Sequence, residues 1–415
     1  MKIGRMKVRI HRGAAEIGGS CIEVESSGQR ILLDVGMPLA GVDNLHPPVP
    51  AIGSTSLCGI VISHPHQDHY GLLPWMPRAV PVAMGAAAKR ILRAAAPYTK
   101  HPVINLDGPD LLDRQPVSLG PFRITPYLVD HSAYDAYALL IEVEGKRLFY
   151  SGDLRMHGRK TRLMDRLMAE CPKDVDVLML EGTTLGRSNS SSNSLSEDDL
   201  EECFADTFNK TAGLALVQVS AQNIDRMVTI YRACIKSGRN LVIDLYPATI
   251  LEATGNPAIP QSHWKMIHLA VPNRQRVQIK TNRWFDTLSR HSANRLYLRK
   301  DIARNPGKYV LLFRSIWMRD LERANCLAGA CLIHSQWEGY MNEPDWHGIE
   351  AWLKHHGIPL RQIHVSGHAA PQDLQRFAKA VSPKRLVPIH SAHPQNMQTL
   401  CSNVEYHADG EWWDI

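Results

Sequence analysis

The sequence predicts an α/β protein in two parts, a strand-rich body interrupted by an inserted parallel sheet flanked by helices. Three observations predict it. Short strands with period-2 alternation fill the first third of the chain. A polar connector, Ser188–Ser194, is then followed by alternating strands and helices, the βαβ pattern of a parallel sheet. The end of the chain returns to short strands with ligand-type residues at their tips. The simplest organisation is a first domain (1–187), an inserted domain (188–362), and a segment (363–415) that completes the first.

Taken in order, Lys7–His11 alternates like a half-buried strand, and Cys21–Glu25 with Arg30–Asp34 reads as a hairpin across Ser26–Gln29. Gly59–Ser63 is a buried strand that runs straight into a histidine cluster. Val80–Met84 is a short strand and Ala86–Ala95 a helix. Strands follow at Phe122–Val129, Ala138–Glu142, Arg147–Tyr150 and Asp176–Leu180, the last ending at Glu181. Ser196 before Asp198 and Asp199 marks a helix start. Leu214–Val219, Leu241–Leu245 and Tyr309–Phe313 read as strands and Asn223–Lys236 as a helix. Gln362–Ser366 and Arg385–Ile389 are the returning strands.

With 415 residues, 44% of them hydrophobic, the chain can bury ordinary cores without disulfide staples. The net charge of +6 permits an anionic partner without demanding one. Eight scattered cysteines with no C-x-x-C pair argue against a zinc ribbon and read as reduced thiols. The start, MKIGRMKVRIHRG, lacks a signal-peptide core, and no stretch approaches the roughly 20 apolar residues of a membrane span. The expectation is a cytoplasmic protein with no membrane partner.

The chemistry concentrates in Ser63-His64-Pro65-His66-Gln67-Asp68-His69-Tyr70-Gly71. Histidines two apart on an extended turn can face one ion, and the Asp68–His69 pair can face a second. Imidazole nitrogen with carboxylate oxygen suits zinc, with manganese the alternative. A histidine-rich surface loop would produce the same composition, but not this spacing directly after an apolar strand.

H-x-H-x-D-H is the signature of the metallo-β-lactamase superfamily, and this chain resembles that family, whose fold is an αββα sandwich with metals at one edge. The resemblance implies two metal ions held by His64, His66, Asp68 and His69 with His131, Asp153 and His390, and a supporting role for Asp34. The long insertion resembles the β-CASP branch, whose members hydrolyse nucleic-acid phosphodiesters. Leu180–Thr184 resembles that branch's motif A, His364-Val365-Ser366-Gly367-His368-Ala369 its motif B, and His390 its motif C. Val219–Arg226 resembles the entry to the inserted domain. A histidine at motif C resembles the ribonuclease J-like, RNA-processing members rather than the DNA-repair members. The chain departs from them at Ser20, where they have asparagine; at Gly182, where they read E-S-T; and at Ser391-Ala392, where they read Gly-Glu. Most also carry a further C-terminal domain used in dimerisation, whereas this sequence ends at Ile415. No pattern specifies an oligomeric state.

The implied reaction is cleavage of single-stranded RNA, as exo- or endonuclease, by a hydroxide held between two metals. Asp68 would ligate one metal and orient the attacking water. His368, not needed in a ligand set of seven, would contact the phosphate and protonate the leaving oxygen. Glu181 would hold a histidine in its tautomer. Ser366, Gly367 and Ala369 would bind the neighbouring phosphate. The alternatives are a DNA nuclease of the same branch, a small-molecule hydrolase of lactones or thioesters, and an inactive subunit. The inserted domain and the complete ligand set argue against the last two.

Between Val271 and Arg304 nine Lys/Arg face only Asp286 and Asp301. Arg276, Lys280, Arg283 and Arg290 fall on one side of a helix at 3.6-residue spacing, and Trp284, Phe285 and Tyr297 are interleaved. Arg276 and Arg283 are therefore candidate RNA contacts, set against a plain solvated helix face.

Overall fold

The computed structural model describes residues 5–39, 56–99, 104–186 and 195–415, so the connector Ser188–Ser194 lies outside the described residues. The described chain separates into two compact units, Met1–Ser194 with Gly367–Ile415, and Leu195–Ser366.

The first unit begins with β1 (Met6–Arg12), β2 (Cys21–Ser26), β3 (Gln29–Val35) and β4 (Leu57–Val61). The β2–β3 turn is only Ser27-Gly28, both at positive φ, which is the twist a two-residue hairpin needs. There follow α1 (Gln67–Tyr70), β5 (Val82–Gly85), α2 (Ala86–Ala95), β6 (Asp110–Leu111), β7 (Val117–Leu119) and β8 (Phe122–Leu128). Then come β9 (Tyr137–Val143), β10 (Lys146–Tyr150), α3 (Thr161–Ala169) and β11 (Val177–Glu181).

The second unit contains α4 (Glu197–Lys210), β12 (Ala215–Gln218), α5 (Ile224–Ser237), β13 (Asn240–Ile243), α6 (Leu245–Ala253) and β14 (Ile267–Leu269). It continues with α7 (Asn273–Asn282), α8 (Phe285–Arg290), β15 (Tyr309–Leu312), α9 (Met318–Ala324), β16 (Cys331–His334), α10 (Pro344–His356) and β17 (Leu360–Gln362). The chain then adds α11 (Pro371–Val381), β18 (Arg385–Ile389) and β19 (Trp412–Asp414) to the first unit.

Two sheets form the first unit, ordered β19-β1-β2-β3-β4-β5-β6 and β18-β11-β10-β9-β8-β7. Their facing sides share one core, in which Val8, Ile10, Val24, Ile31 and Leu33 meet Phe122, Ile124, Leu139, Leu148, Val177 and Val387. On the outer face of the first sheet α2 contributes Ala88 and Leu92. On the outer face of the second, α3 contributes Met164 and Leu167, and α11 contributes Leu374 and Phe377. This is an αββα sandwich. The late strands complete both sheets, since β18 pairs in parallel with β11 and β19 antiparallel with β1.

The second unit has one six-stranded sheet, β14-β13-β15-β12-β16-β17, and every pairing in it is parallel. Helix α4 starts where the sequence indicates, with Ser196 and Asp199 forming a reciprocal capping box. The strand expected at Gln362–Ser366 lies earlier. The ladder ends as Ile363 donates to the His334 carbonyl, because β16 stops at His334 and offers no further partner. The single basic helix expected through Arg290 is also corrected. α7 ends at Asn282, Arg283 takes φ +56° as its left-handed cap, and a separate helix starts at Phe285. Arg276 and Arg290 therefore share no helix. Among the described residues no helix is long and apolar enough to cross a membrane.

A candidate metal centre at one edge of the sandwich

The cluster is built from strand ends. After β4 the chain turns through His64 and His66, and α1 then carries Asp68 and His69. His131 follows β8, Asp153 follows β10, Glu181 ends β11, His368 precedes α11 and His390 follows β18. Glycine is needed at two close approaches. A Cβ on Gly36 would lie 1.8 Å from the Asp68 carbonyl oxygen, where β3 and α1 touch. Gly152 takes φ +53°, which turns the chain into Asp153.

Four overlapping groups of three ligand-type atoms result among the described residues: His64 with His66 and His131, Asp68 with His69 and His390, and two that include Asp153, with His64 and His69 or with His131 and His368. Asp153 touches both of the first two groups. Its Oδ2 is 3.6 Å from His64 Nε2, 3.9 Å from His131 Nε2 and 3.2 Å from His69 Nε2, and its Oδ1 is 3.3 Å from His390 Nδ1. Asp68 Oδ2 lies 3.6 Å from His390 Nε2 and 3.9 Å from His69 Nε2. His66 Nδ1 and His131 Nε2 are 3.1 Å apart.

The donor set fits a cation. Nε2 of His64, His69 and His390, and Asp153 Oδ1, are buried with no hydrogen-bond partner among the described residues. Buried polar atoms left this way are costly unless something fills the space they face. Burial and neighbouring rings push His64 and His131 well below the ordinary histidine range, and burial takes His66 to about 4. Those rings are neutral, as ligands must be. At His69 burial opposes charge, but Asp153, Asp34 and Asp68 outweigh it and raise the ring well above that range. Burial likewise opposes ionisation of Asp153, yet His390, His69 and His368 hold its carboxyl well below the usual carboxylate range.

Supporting hydrogen bonds fix which nitrogen each ring presents. Asp34, fully buried, accepts from the Ser63 N–H at 2.7 Å, Ser63 Oγ at 2.8 Å, Tyr150 Oη at 2.7 Å and His69 Nδ1 at 2.8 Å. His69 Nε2 is thereby aimed at Asp153. His131 Nδ1 donates to the Gly367 carbonyl at 2.6 Å. Ser20 Oγ meets His390 Nδ1 at 3.2 Å, and the Ser20 N–H donates to the Asp68 carbonyl at 3.0 Å. Ser20, Ser63 and Tyr150 are absent from the sequence-based site. Adjacency signals two of them, Ser63 before His64 and Tyr150 before the Ser-Gly-Asp turn, while Ser20 stands out only where the resemblance expects asparagine.

Exposure decides which side opens to solvent. The side chains of Asp68 and His368 are 16% and 20% exposed, while those of His64, His69, His131, Asp153 and His390 are at 2% or less. His368 Nδ1 pairs with Glu181 Oε2 at 3.0 Å and is 3.7 Å from Asp153 Oδ2. Burial works against its charge, but Glu181 and Asp153 raise it to about 8. The other Glu181 oxygen accepts the Leu154 N–H at 2.8 Å, so this carboxylate ties the Asp153 turn to His368.

Around His368 the expected substrate contacts are corrected in part. Ala369 is fully buried, its N–H donates to the Leu154 carbonyl and its own carbonyl accepts from Thr184 Oγ1, so it anchors His368 and leaves no free backbone group for a phosphate. A Cβ on Gly367 would lie 2.6 Å from Ser132 Oγ, a hydroxyl that a rotation moves aside, and 3.2 Å from Ser132 Cβ. Ser366, Arg276 and Arg283 belong to the second unit.

Two family models match this chain, the beta-lactamase superfamily domain over residues 29–222 and the Zn-dependent metallo-hydrolase RNA specificity domain over residues 359–408. The second covers His368 and His390. The chain is similar to ribonuclease J-like members of the metallo-β-lactamase superfamily. Ribonuclease J of Helicobacter pylori (strain ATCC 700392 / 26695) is 23% identical over 414 residues, covering 92% of this chain and 55% of that protein. Ribonuclease J of Mycoplasma genitalium is 22% identical, covering 94% of this chain and 68% of that protein. The chain thus spans about half the length of the Helicobacter proteins it matches. A crystal structure of a protein of unknown function from Enterococcus faecalis V583 superposes with a TM-score of 0.74 at 20% identity, covering 99% of this chain and all of that one, a likeness of fold.

Proposed function

We propose that this ribonuclease J-like chain is a metal-dependent phosphodiesterase that cleaves single-stranded RNA. One observation carries the proposal. Ligand-type side chains from four strand ends converge with unpartnered buried donor atoms, and a half-open histidine backed by a buried carboxylate stands beside them. The RNA specificity model over the returning segment, and relatives named ribonuclease J, favour RNA over DNA.

Two zinc ions would be held, one by His64, His66 and His131, the other by Asp68, His69 and His390, with Asp153 shared. When bound, such ions supply Lewis acidity, lowering the pKa of water and offsetting charge on phosphate oxygens. The protein's own groups do the rest. Asp68, on the open side, orients the attacking water. Glu181 takes the Nδ1 proton of His368 as a hydrogen bond, which leaves Nε2 to face the substrate and hand a proton to the leaving oxygen. Gly367 holds His131 through its carbonyl. The proposed setting is cytoplasmic.

The test is cleavage of 5′-labelled single-stranded RNA and its DNA counterpart, with zinc or manganese, by the wild type, Asp68→Ala and His368→Ala. RNA cleavage lost in both variants is the expected result, and the ladder separates exonuclease from endonuclease action. No cleavage of either polymer by protein shown to contain metal would overturn the proposal.

A further inference from the structure

The charge of this chain is not spread evenly. Residues 271–304 carry +7 from nine Lys/Arg and two Asp, whereas the whole chain carries +6, so everything else nets −1. Solvated faces usually mix both signs in ion pairs. Here Arg274, Lys280, Arg283, Arg299 and Arg304 have no ion-pair or side-chain hydrogen-bond partner among the described residues. Large apolar side chains are exposed among them: Val277 at 61%, Phe285 at 56% and Tyr297 at 44%.

The topology gathers part of this set at one place. β14 runs parallel to β13, and α7 leaves its carboxyl end, starting at Asn273. Residues 294–296 lie alongside β14, also in parallel, through the Leu269–Arg295 bridge and the hydrogen bonds from Leu269 N–H to Asn294 and from Leu296 N–H to Leu269. The next segment, Tyr297–Ile302, therefore leaves from the same carboxyl edge as α7. That edge is where open parallel sheets bind ligands. Arg274 stands at one exit, and Tyr297, Arg299 and Lys300 stand at the other.

The Tyr297 backbone is tied down while its ring is exposed. Its N–H donates to Asp301 Oδ2 at 2.7 Å, Arg295 lies 5.2 Å from its ring centroid, and Lys300 Nζ lies 6.0 Å from it. An exposed aromatic ring with cations close to it suits a nucleobase followed by its phosphates. The geometry points to a single-stranded RNA-binding surface on the second unit, with Tyr297 stacking a base and Arg274, Arg299 and Lys300 taking backbone phosphates. It replaces the continuous stripe through Arg276 and Arg283, since Arg276 Nε donates back to the Val271 carbonyl and Arg283 caps a helix that ends there. This inference deepens the nuclease reading and rests on it for the choice of RNA.

The experiment is equilibrium binding of a fluorescein-labelled single-stranded oligoadenylate to the full chain by anisotropy. EDTA is present to stop turnover, and KCl is varied. Arg274→Glu with Arg299→Glu should weaken binding by roughly tenfold or more and flatten the dependence of log K on log salt by about 0.7 for each phosphate no longer neutralised. Tyr297→Ala should weaken binding roughly fivefold to tenfold at an unchanged salt slope, with Tyr297→Trp restoring it. Thermal melts of the variants report that the fold is kept. Wild-type affinity and slope in both the charge-reversed and Tyr297→Ala proteins would overturn the inference. So would binding of phosphatidylserine vesicles without binding of RNA. Because turnover is not read, a protein that binds RNA through this surface yet never cleaves it would sink the nuclease reading alone. A protein that cleaves RNA with this surface reversed and its affinity intact would sink this inference alone.

Discussion

Asp34→Asn is the sharpest test of how the centre is held. Asparagine is the right replacement because Asp34 sits at φ +56°, a region asparagine tolerates and alanine does not. The change therefore leaves the backbone alone and alters hydrogen bonding and charge. Oδ2 of Asp34 serves three donors, from Ser63, His69 and Tyr150, and Oδ1 serves the Ser63 N–H. If the amide oxygen takes the three-donor place, its NH2 opposes the Ser63 N–H, two donors face to face in a fully buried position. The remaining three bonds lose a charged acceptor. Hydrogen bonds to charged groups contribute about 1.5–3 kcal/mol and an unsatisfied buried donor costs about 1–3 kcal/mol, so a destabilisation of about 2–4 kcal/mol is expected. His69 also loses the partner that aims Nε2 at Asp153, and loss of such a partner weakens metal binding by about 10–100-fold. Urea unfolding and competition against a zinc chelator measure the two effects separately. Unchanged stability together with zinc affinity within about twofold of wild type would refute the reasoning, because no arrangement of an amide satisfies all four donors.

Four further outcomes are expected. Glu181→Gln should lower kcat by roughly 10–100-fold with little change in KM, since it loosens His368 and is not itself a proposed ligand, and steady-state kinetics on RNA will show the split. Gly36→Ala should destabilise by about 3 kcal/mol or more and lower zinc content, read by melting and metal analysis, because its Cβ would overlap the Asp68 carbonyl. Arg226→Ala should destabilise the second unit by about 3–5 kcal/mol in urea, because it leaves Glu197, buried and pairing with it at 2.9 Å, without its cation. His364 is pushed down to about 3 by burial and by Arg226, from an unfolded value of 6.5. Its folded pKa lies below its unfolded one, so its contribution is complete above pH 6.5 and is lost as pH falls toward 3, by up to about 1.4 kcal/mol per unit. Stability measured against pH should flatten across that window in His364→Gln, and an identical slope would count against it.

The histidine cluster was legible because its ligands are contiguous and follow an apolar strand, so spacing alone reports chemistry. His131, Asp153, Glu181 and His390 were legible only by resemblance. Each is one polar residue at a strand end, and nothing local says which strand ends meet. The same limit applied to the second sheet. Its strands and helices follow from periodicity, but the order β14-β13-β15-β12-β16-β17 is set by pairing that no period encodes. Ser63 was invisible because serine is common and its role depends on Asp34, distant in sequence, and Ser20 was legible only as a departure from the family pattern, with nothing local to announce its contact with His390. The basic stretch was legible as charge and misread as geometry. Helical spacing was projected through Arg283, where the backbone turns left-handed.

Where the local rules fail is itself informative. Asp34 and His390 both adopt positive φ, at +56° and +53°, at the ends of β3 and β18. Neither is glycine, and such a conformation costs about 1–3 kcal/mol per residue unless the surroundings impose it. They are imposed. Asp34 is clamped by four donors, and His390 by its N–H to the Gly13 carbonyl and its ring against Ser20 and Asp153. A glycine at either place would relieve the backbone and remove the very side chain that the turn presents to the cluster. The strain therefore buys orientation. The left-handed turn in β3 sets Asp34 against Ser63, His69 and Tyr150, and the one after β18 sets His390 against Asp153, so strands from both sheets of the sandwich orient groups around one shared carboxylate.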